Sequence, residues 1–395
     1  MATTIYRPGK VYENAISGAA AGKNTAAEKV QWRKCSTFEQ NAETLKDAAL
    51  KDLETLDKSL DELDLSEKDK MRLAKNIQNA FGQHLNILIA GATGCGKSTT
   101  ILALFDEDKM SEADRQSLVV SGSGKPQTMD IRPYKVGKNL TIWDSPGLGD
   151  GEKDEQHIAK IRAKCRENDK SGRGLIDLGL VIIDGAVARD LESTYKVADV
   201  LVDELCKGEK SQARVVVAIN KCDIASNNPA AKFNHEQNEP SEALKAELEA
   251  KMQDFKDRFA ENKRAKFSIM YYAAGYYDEA SGKQYPPYNL AKLLNFITKS
   301  APSKKRFLFA DKVSTKEKNF HANEKGKEWQ KDTEKSWFDS VVETISEGIE
   351  VVGKAIDKVK EVGKKVLKAA PSIMSAGDTI IKAGKVAFKW LKNFF

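Results

Sequence analysis

The chain has 395 residues, 41% hydrophobic and 31% charged, with a formal net charge of +6. That length is too great for one compact core and suits a large domain with appended pieces of an ordinary soluble protein. No window holds roughly 18 consecutive apolar residues, which argues against a spanning helix. The five cysteines and four histidines are scattered, which argues against a zinc site or a disulfide framework and for free thiols in a reducing compartment.

Residues 1–36 are rich in Ala, Gly, Thr and Asn without a period, and Met1 to Gly22 lacks an apolar segment of signal-peptide length. The expectation is a flexible, cytoplasmic N-terminus. Residues 37–84 read as a helical extension. Leu45, Leu53, Leu56, Leu60 and Leu63 recur at helical steps, and Ser66 with Asp69 reads as a capping box opening a second helix. A hairpin packed on the next domain is preferred to an independent coiled coil.

From Leu85 to Lys299 short apolar runs alternate with amphipathic stretches. The runs Asn86–Ala90, Ile131–Val136, Leu140–Trp143, Leu178–Asp184, Arg214–Ile219 and Phe267–Tyr272 read as strands. Helices are expected to begin near Lys97, Asp154, Leu191, Ser241 and Tyr288. This is the pattern of an α/β domain over 85–300, a mostly parallel sheet with helices on both faces. After Pro302 the sequence turns lysine-rich and patternless, so 301–335 is expected to be a basic linker.

The last segment, 336–395, carries an apolar stripe of helical spacing through Trp337, Val341, Ile345, Ile349, Val352, Ile356, Val359, Val362 and Val366. Pro371 is expected to break it. Ile380 to Phe395 follows, with Lys382, Lys385, Lys389 and Lys392, an aromatic end and no acid. Such a stretch suits the interface of an anionic membrane. Folding of both helices onto the preceding domain, or pairing with the N-terminal helices, has equal standing. RNA binding is a weaker third option, because no RNA-binding module is readable.

The chemistry concentrates at three loops. Gly91-Ala92-Thr93-Gly94-Cys95-Gly96-Lys97-Ser98, followed by Thr99, lies between a strand and a helix, the setting a phosphate-binding loop requires. Its glycines let backbone N–H groups wrap a phosphate chain, helped by the helix N-terminus. Lys97 is expected to reach the β- and γ-phosphates, and the Ser98 hydroxyl to ligate Mg²⁺. Asp144-Ser145-Pro146-Gly147 ends a second strand, where Asp144 is placed to hold the metal ion and the Gly147 N–H to sense the γ-phosphate. Asn220-Lys221-Cys222-Asp223 ends a third. There Asp223 can accept two hydrogen bonds from guanine that adenine does not offer, and the Lys221 stem can cover the base.

In this order, each at a strand end, these loops resemble the first, third and fourth nucleotide-binding motifs of the translation-factor class of GTPases, nearest the Era/TrmE-like branch. The resemblance covers Leu85 to Lys299 and implies a P-loop NTPase G domain with α-helical extensions at both ends. It implies GTP/GDP and Mg²⁺ as ligands, and hydrolysis of GTP to GDP and phosphate. Lys97, Thr128 and Gly147 would be the catalytic groups, with Ser98, Thr128 and Asp144 at the metal. Thr128 fits the threonine that closes over Mg²⁺ and the γ-phosphate, with Ser121 and Ser123 as competitors. The backbone of Ala273 and Ala274 fits loosely as the contact to the guanine O6.

One departure bears on mechanism. Leu148 follows Gly147 where some relatives carry a water-orienting glutamine. GTPases with an apolar residue there resemble those that take the group from elsewhere, often from another subunit or through a bound monovalent cation. Asp150, Asp154, Gln156 and His157 are expected to be solvated switch residues rather than catalytic ones. The resemblance therefore implies slow hydrolysis in the isolated chain, with a homodimer through the G domain or a protein partner as stimulant. His84, His235 and His321 stand alone and suggest no metal.

Overall fold

The computed structural model describes residues 42–121, 130–149, 153–186, 192–206, 213–260, 267–278, 282–349 and 354–376. Its strands, in chain order, are β1 (Leu85–Gly91), β2 (Arg132–Val136), β3 (Leu140–Asp144), β4 (Leu178–Asp184), β5 (Val215–Asn220), β6 (Phe233–Asn234), β7 (Glu239–Pro240), β8 (Ser268–Tyr271), β9 (Tyr276–Asp278) and β10 (Lys283–Tyr285). A six-stranded sheet runs in the order β2-β3-β1-β4-β5-β8. All of its neighbours are parallel except β2, which runs antiparallel to β3. β6–β7 and β9–β10 form separate two-stranded ribbons.

The long apolar runs arise because the central strands are buried on both faces. Along β1, Leu85, Ile87 and Ile89 join one core while Leu88 and Ala90 join the other. β4 and β5 alternate in the same way: Leu180 and Ile182 against Val181 and Ile183, Val216 and Ala218 against Val217 and Ile219. The second core is closed by α5 (Asp154–Arg166), α6 (Glu192–Leu205) and α7 (Glu242–Ala260), which contribute Ile161, Leu201 and Leu248. The first is closed by α3 (Lys97–Leu104) and α8 (Leu290–Ser300), and extends without a break into the helices at both ends of the chain.

The N-terminal pair is α1 (Ala42–Asp61) and α2 (Glu67–Phe81). Ser66 caps α2: its hydroxyl accepts the Asp69 N–H at 3.2 Å and donates to the Asp69 carboxylate at 2.6 Å. The C-terminal helices are α9 (Gly326–Ile345) and α10 (Lys354–Ala376). α1 packs on α10 and α2 on α9. Leu53, Leu56 and Leu60 share their core with Val359, Val362 and Val366. The Asn76 side chain donates to the Ile345 and Glu347 carbonyls at 2.9 and 3.0 Å, capping the end of α9. Of the apolar stripe, Trp337, Val341, Ile345, Ile349, Val359, Val362 and Val366 are therefore covered by protein rather than lipid and Ile356 is exposed, while Val352 lies outside the described residues. Ile380–Phe395 and the 1–36 segment lie outside the described residues. No described helix is long and apolar enough to cross a membrane.

Two expectations are corrected. The stretch 301–335 is no linker. A 3₁₀ turn over Ser303–Phe309 buries Phe307, Leu308 and Phe309, and Phe320 is buried with them. The lysines that obscured these rings pair with carboxylates: Lys305 Nζ donates to both Asp177 oxygens at 2.7 and 2.9 Å, and Lys312 pairs with the buried Asp311. Nor does Pro371 end its helix, since α10 continues to Ala376. Proline forfeits one helical hydrogen bond, and the Ser372 hydroxyl, bonded to Ala369 O at 2.8 Å and to the Asp52 carboxylate of α1, holds the turn. The short helix α4 (Glu112–Ser121) and both two-stranded ribbons were not anticipated.

Phe307→Ala tests the packed role of the former linker. A cavity of that kind costs about 3–5 kcal/mol, against a negligible effect for a solvated linker residue, and chemical denaturation reads the difference.

Candidate nucleotide-binding site

The carboxyl ends of adjacent parallel strands are where open α/β sheets bind ligands. Four loops meet there: β1 runs into Gly91–Ser98, β3 into Asp144–Gly149, β5 into Asn220–Asp223 and β8 into Tyr272–Gly275. Gly96 caps α3 with φ 97°, and a Cβ on it would lie 2.2 Å from Asn220 Nδ2. Only glycine fits both constraints. Lys97 curls back over the loop, its Nζ donating to the Gly91 and Ala92 carbonyls at 3.0 and 3.1 Å. Cys95, Ser98 and Thr99 are buried.

Asn220 ties the loops together from the centre. Its amide donates to Cys95 O at 2.9 Å and accepts from Ala274 N at 3.0 Å, joining the phosphate loop to the Ala273–Ala274 turn. The Tyr272 and Thr100 hydroxyls add a buried bond of 2.6 Å between the same elements. The site's Asn220 therefore acts through the loops, a role its place in the motif did not specify.

The loop after β3 is joined to the phosphate loop by backbone. Thr93 N donates to Leu148 O at 2.8 Å, and Leu148 N to Gly91 O at 3.3 Å. Gly147 passes so close to Thr93 that a Cβ would lie 2.2 Å from Thr93 Oγ1. Leu148 itself is buried in the second core. Asp154 and His157, expected in solvent, are buried. Asp154 accepts the Gly149 N–H at 2.9 and 3.1 Å and the Ser193 hydroxyl at 2.5 Å. His157 Nδ1 lies 3.2 Å from Gly147 O and must donate to it. The first turn of α5 thus grips the loop it follows, and the sequence offered no cue beyond the position of Asp154 at the helix start. Gln156 is exposed. Thr128, Ser123 and Asp150 lie outside the described residues, and Ser121 is the last residue of α4.

Two carboxylates are conspicuous. Asp144 is 3% exposed and Asp223 8%, and in each the Oδ1 atom has no hydrogen-bond partner. Burial pushes Asp144 up to about 6 against the opposing charges of Lys97 and Arg132. Burial likewise pushes Asp223 up to about 6, opposed by a backbone hydrogen bond and Lys221, with Asp184 adding to the rise. Buried acids left in this condition await a partner. Oxygen donors from Ser98 and Asp144 beside the phosphate loop fit a hard divalent cation such as Mg²⁺. Asp223 is open to N–H donors. Lys221, held at φ 59°, donates to Asp184 Oδ2 at 2.5 Å. Asp184, at the end of β4, was not among the expected residues.

Residues 86–221 match the family model described as a 50S ribosome-binding GTPase. The chain carries a GTP-binding G domain. Its fold is that of the P-loop GTPases, with helical extensions at both ends. No curated protein sequence matches the chain. Among solved structures, it is similar to the ADP-ribosylation factor-like small COPII coat GTPase SAR1 of Encephalitozoon cuniculi, at 13% identity over 51% of this chain and 74% of that one, TM-score 0.27. A protein of an oligomerised bacterial dynamin pair matches at 16% identity over 78% of this chain and 57% of that one, TM-score 0.30. The LeoA bacterial dynamin GTPase from ETEC matches at 18% identity over 77% and 47%, TM-score 0.29. The G-domain chain spans about half the length of these dynamins, and likeness at such TM-scores carries no functional argument.

The elevated acids give the nucleotide-free protein a pH signature. An unfolded aspartate titrates near 3.8, whereas these two release their protons at about 6 when folded. The folded state binds the extra protons, so stability falls as pH rises from about 4 through about 6. Each acid contributes a loss on the order of 3 kcal/mol. Asp223→Asn should flatten its share of the slope in urea titrations of nucleotide-free protein across that window.

Proposed function

We propose that the chain is a Mg²⁺-dependent GTPase that hydrolyses GTP to GDP and phosphate and works as a conformational switch. The observation that carries this reading is the pair of buried, unpartnered oxygens, Asp144 Oδ1 and Asp223 Oδ1, at strand ends beside one phosphate loop. Asp223 accepts the guanine N1–H and exocyclic amine, and ATP leaves it unpaired. The N–H groups of Ala273 and Ala274, expected at the guanine O6, already donate to Tyr288 O at 3.1 Å and to Asn220 Oδ1 at 3.0 Å, so this turn supports the base-binding loop rather than offering those two donors. Lys97 exchanges its two loop carbonyls for the β- and γ-phosphates, and the Gly147 N–H receives the γ-phosphate. Ser98, Asp144 and Thr128 would hold Mg²⁺, which neutralises phosphate charge when bound.

Leu148 offers no hydrogen bond to an attacking water, and its burial keeps it from the phosphate side. In this reading the water-positioning group comes from elsewhere: from a second copy through the G domain, from another protein, or through a bound monovalent cation. Loss of the γ-phosphate frees Gly147, whose carbonyl and neighbouring Gly149 amide are held by His157 and Asp154 of α5. Movement of α5 passes to α6 through Ser193. The helical extensions share a core with α3 and carry the change outward. Ile380–Phe395 is suited to place the protein at the surface of an anionic membrane as a peripheral, cytoplasmic protein. Its use as a membrane-active effector gated by the G domain is the variant reading. A second reading, ribosome association in an Era/TrmE-like manner, is favoured by the description of the matching family.

Calorimetry with GTP, GDP and ATP tests the core claim. Guanine nucleotides should bind and ATP should not, and Asp223→Ala should lower guanine affinity by about 100-fold or more. Equal retention of adenine nucleotides by the wild type would end the reading. Ser98→Asn should weaken Mg²⁺-GTP binding. Turnover per molecule should rise with protein concentration; a fast rate independent of concentration contradicts the role given to a partner. Reversible, nucleotide-dependent flotation with liposomes favours the switch, tail-dependent leakage the effector, and salt-sensitive cosedimentation with ribosomes the second reading.

A further inference from the structure

β4 lies beside β5 with Asp184 directly opposite Asn220, which brings Asp184 next to Lys221. The Asp184 carboxylate is fixed by its own turn, where Ala186 N donates to Oδ1 at 3.0 Å. Its other oxygen receives Lys221 Nζ at 2.5 Å, and both side chains are 11% exposed. Two residues beyond Lys221, Asp223 Oδ1 is buried without a partner. A lysine ammonium on a flexible stem beside an open, buried carboxylate is strongly drawn to it, because the interior screens the attraction poorly. In this protein the ammonium is drawn the other way.

We propose that Asp184 is a positioning residue for guanine recognition: by holding the Lys221 ammonium, it keeps the Asp223 carboxylate open for the base. This deepens the GTP-binding reading and rests on it. Without Asp184, Lys221 turns to Asp223 and occupies the acceptors that guanine needs, so the base competes with an intramolecular ion pair. Asp184 touches no ligand in this scheme. It acts through Lys221 alone, and its importance therefore depends on the ammonium being there.

A double-mutant cycle isolates that dependence. Fluorescent GDP is titrated into wild type, Asp184→Asn, Lys221→Met and the double variant, the methionine keeping the apolar stem without the charge. Asp184→Asn should weaken GDP binding about tenfold when Lys221 is present. In the Lys221→Met background the same change should leave affinity unchanged or improve it, since Asp184 no longer has a cation to hold. An equal loss in both backgrounds, or no loss in the first, overturns the proposal. Thermal midpoints of the nucleotide-free variants separate misfolding from lost recognition. Should Asp184→Asn alone not fold, the comparison of the double variant with Lys221→Met still decides: about tenfold weaker binding by the double variant overturns the role. A wild type that binds no GDP sinks the GTP reading itself, whereas additive losses in a GDP-binding wild type sink only the role of Asp184.

Discussion

The Asn220 amide donates to the carbonyl of Cys95 and accepts from the N–H of Ala274, in complete burial, and through these bonds three strand ends share one position. A buried amide of this kind specifies geometry because any slippage leaves its donor and acceptor unpaired. Its presence also dictates Gly96, where no Cβ has room beside Nδ2. The phosphate loop, the base-recognition loop and the turn after β8 are thus set relative to one another before any nucleotide arrives. Preorganisation of that sort spares the ligand the ordering entropy of the loops it meets.

Around this centre the fold divides its acids by purpose. Asp177 and Asp311, at the far end from the loops, are buried against lysines and fasten the 301–335 stretch to the sheet and to its neighbours. Asp154 is buried against backbone and a hydroxyl and fastens a loop to its helix. Asp144 and Asp223 alone among these are buried with an oxygen left over. The same residue type performs tethering in one place and waits for a ligand in another, and the difference lies in what the surrounding elements present to it.

The sheet was legible because each central strand is buried on both sides, which writes itself as an unbroken apolar run such as Ile87–Ala90 or Val215–Ile219. The glycines of the phosphate loop were legible because a left-handed backbone at Gly94 and Gly96, and the close approach of Asn220 to Gly96, demand that residue type. What escaped depends on partners distant in sequence. Phe307, Leu308 and Phe309 sit among lysines whose charges are cancelled by Asp177 and Asp311, so composition pointed to a linker. The stripe from Trp337 to Val366 has the same periodicity whether it faces lipid or α1, and only the Leu53–Leu60 partner face decides between them. Asp184 forms no motif with Lys221; strand adjacency alone makes them neighbours. His157 and Asp154 looked like solvated helix-start residues because the loop they hold lies before them in the chain.

β2 sits at one rim of the sheet and runs against the direction of the rest. Arg132, Pro133 and Lys135 are its exposed residues. Proline has no N–H to lend to a further strand, and the two flanking cations repel an identical rim brought up to it. Edge-to-edge growth of the sheet into a continuous ribbon is thereby discouraged at this border.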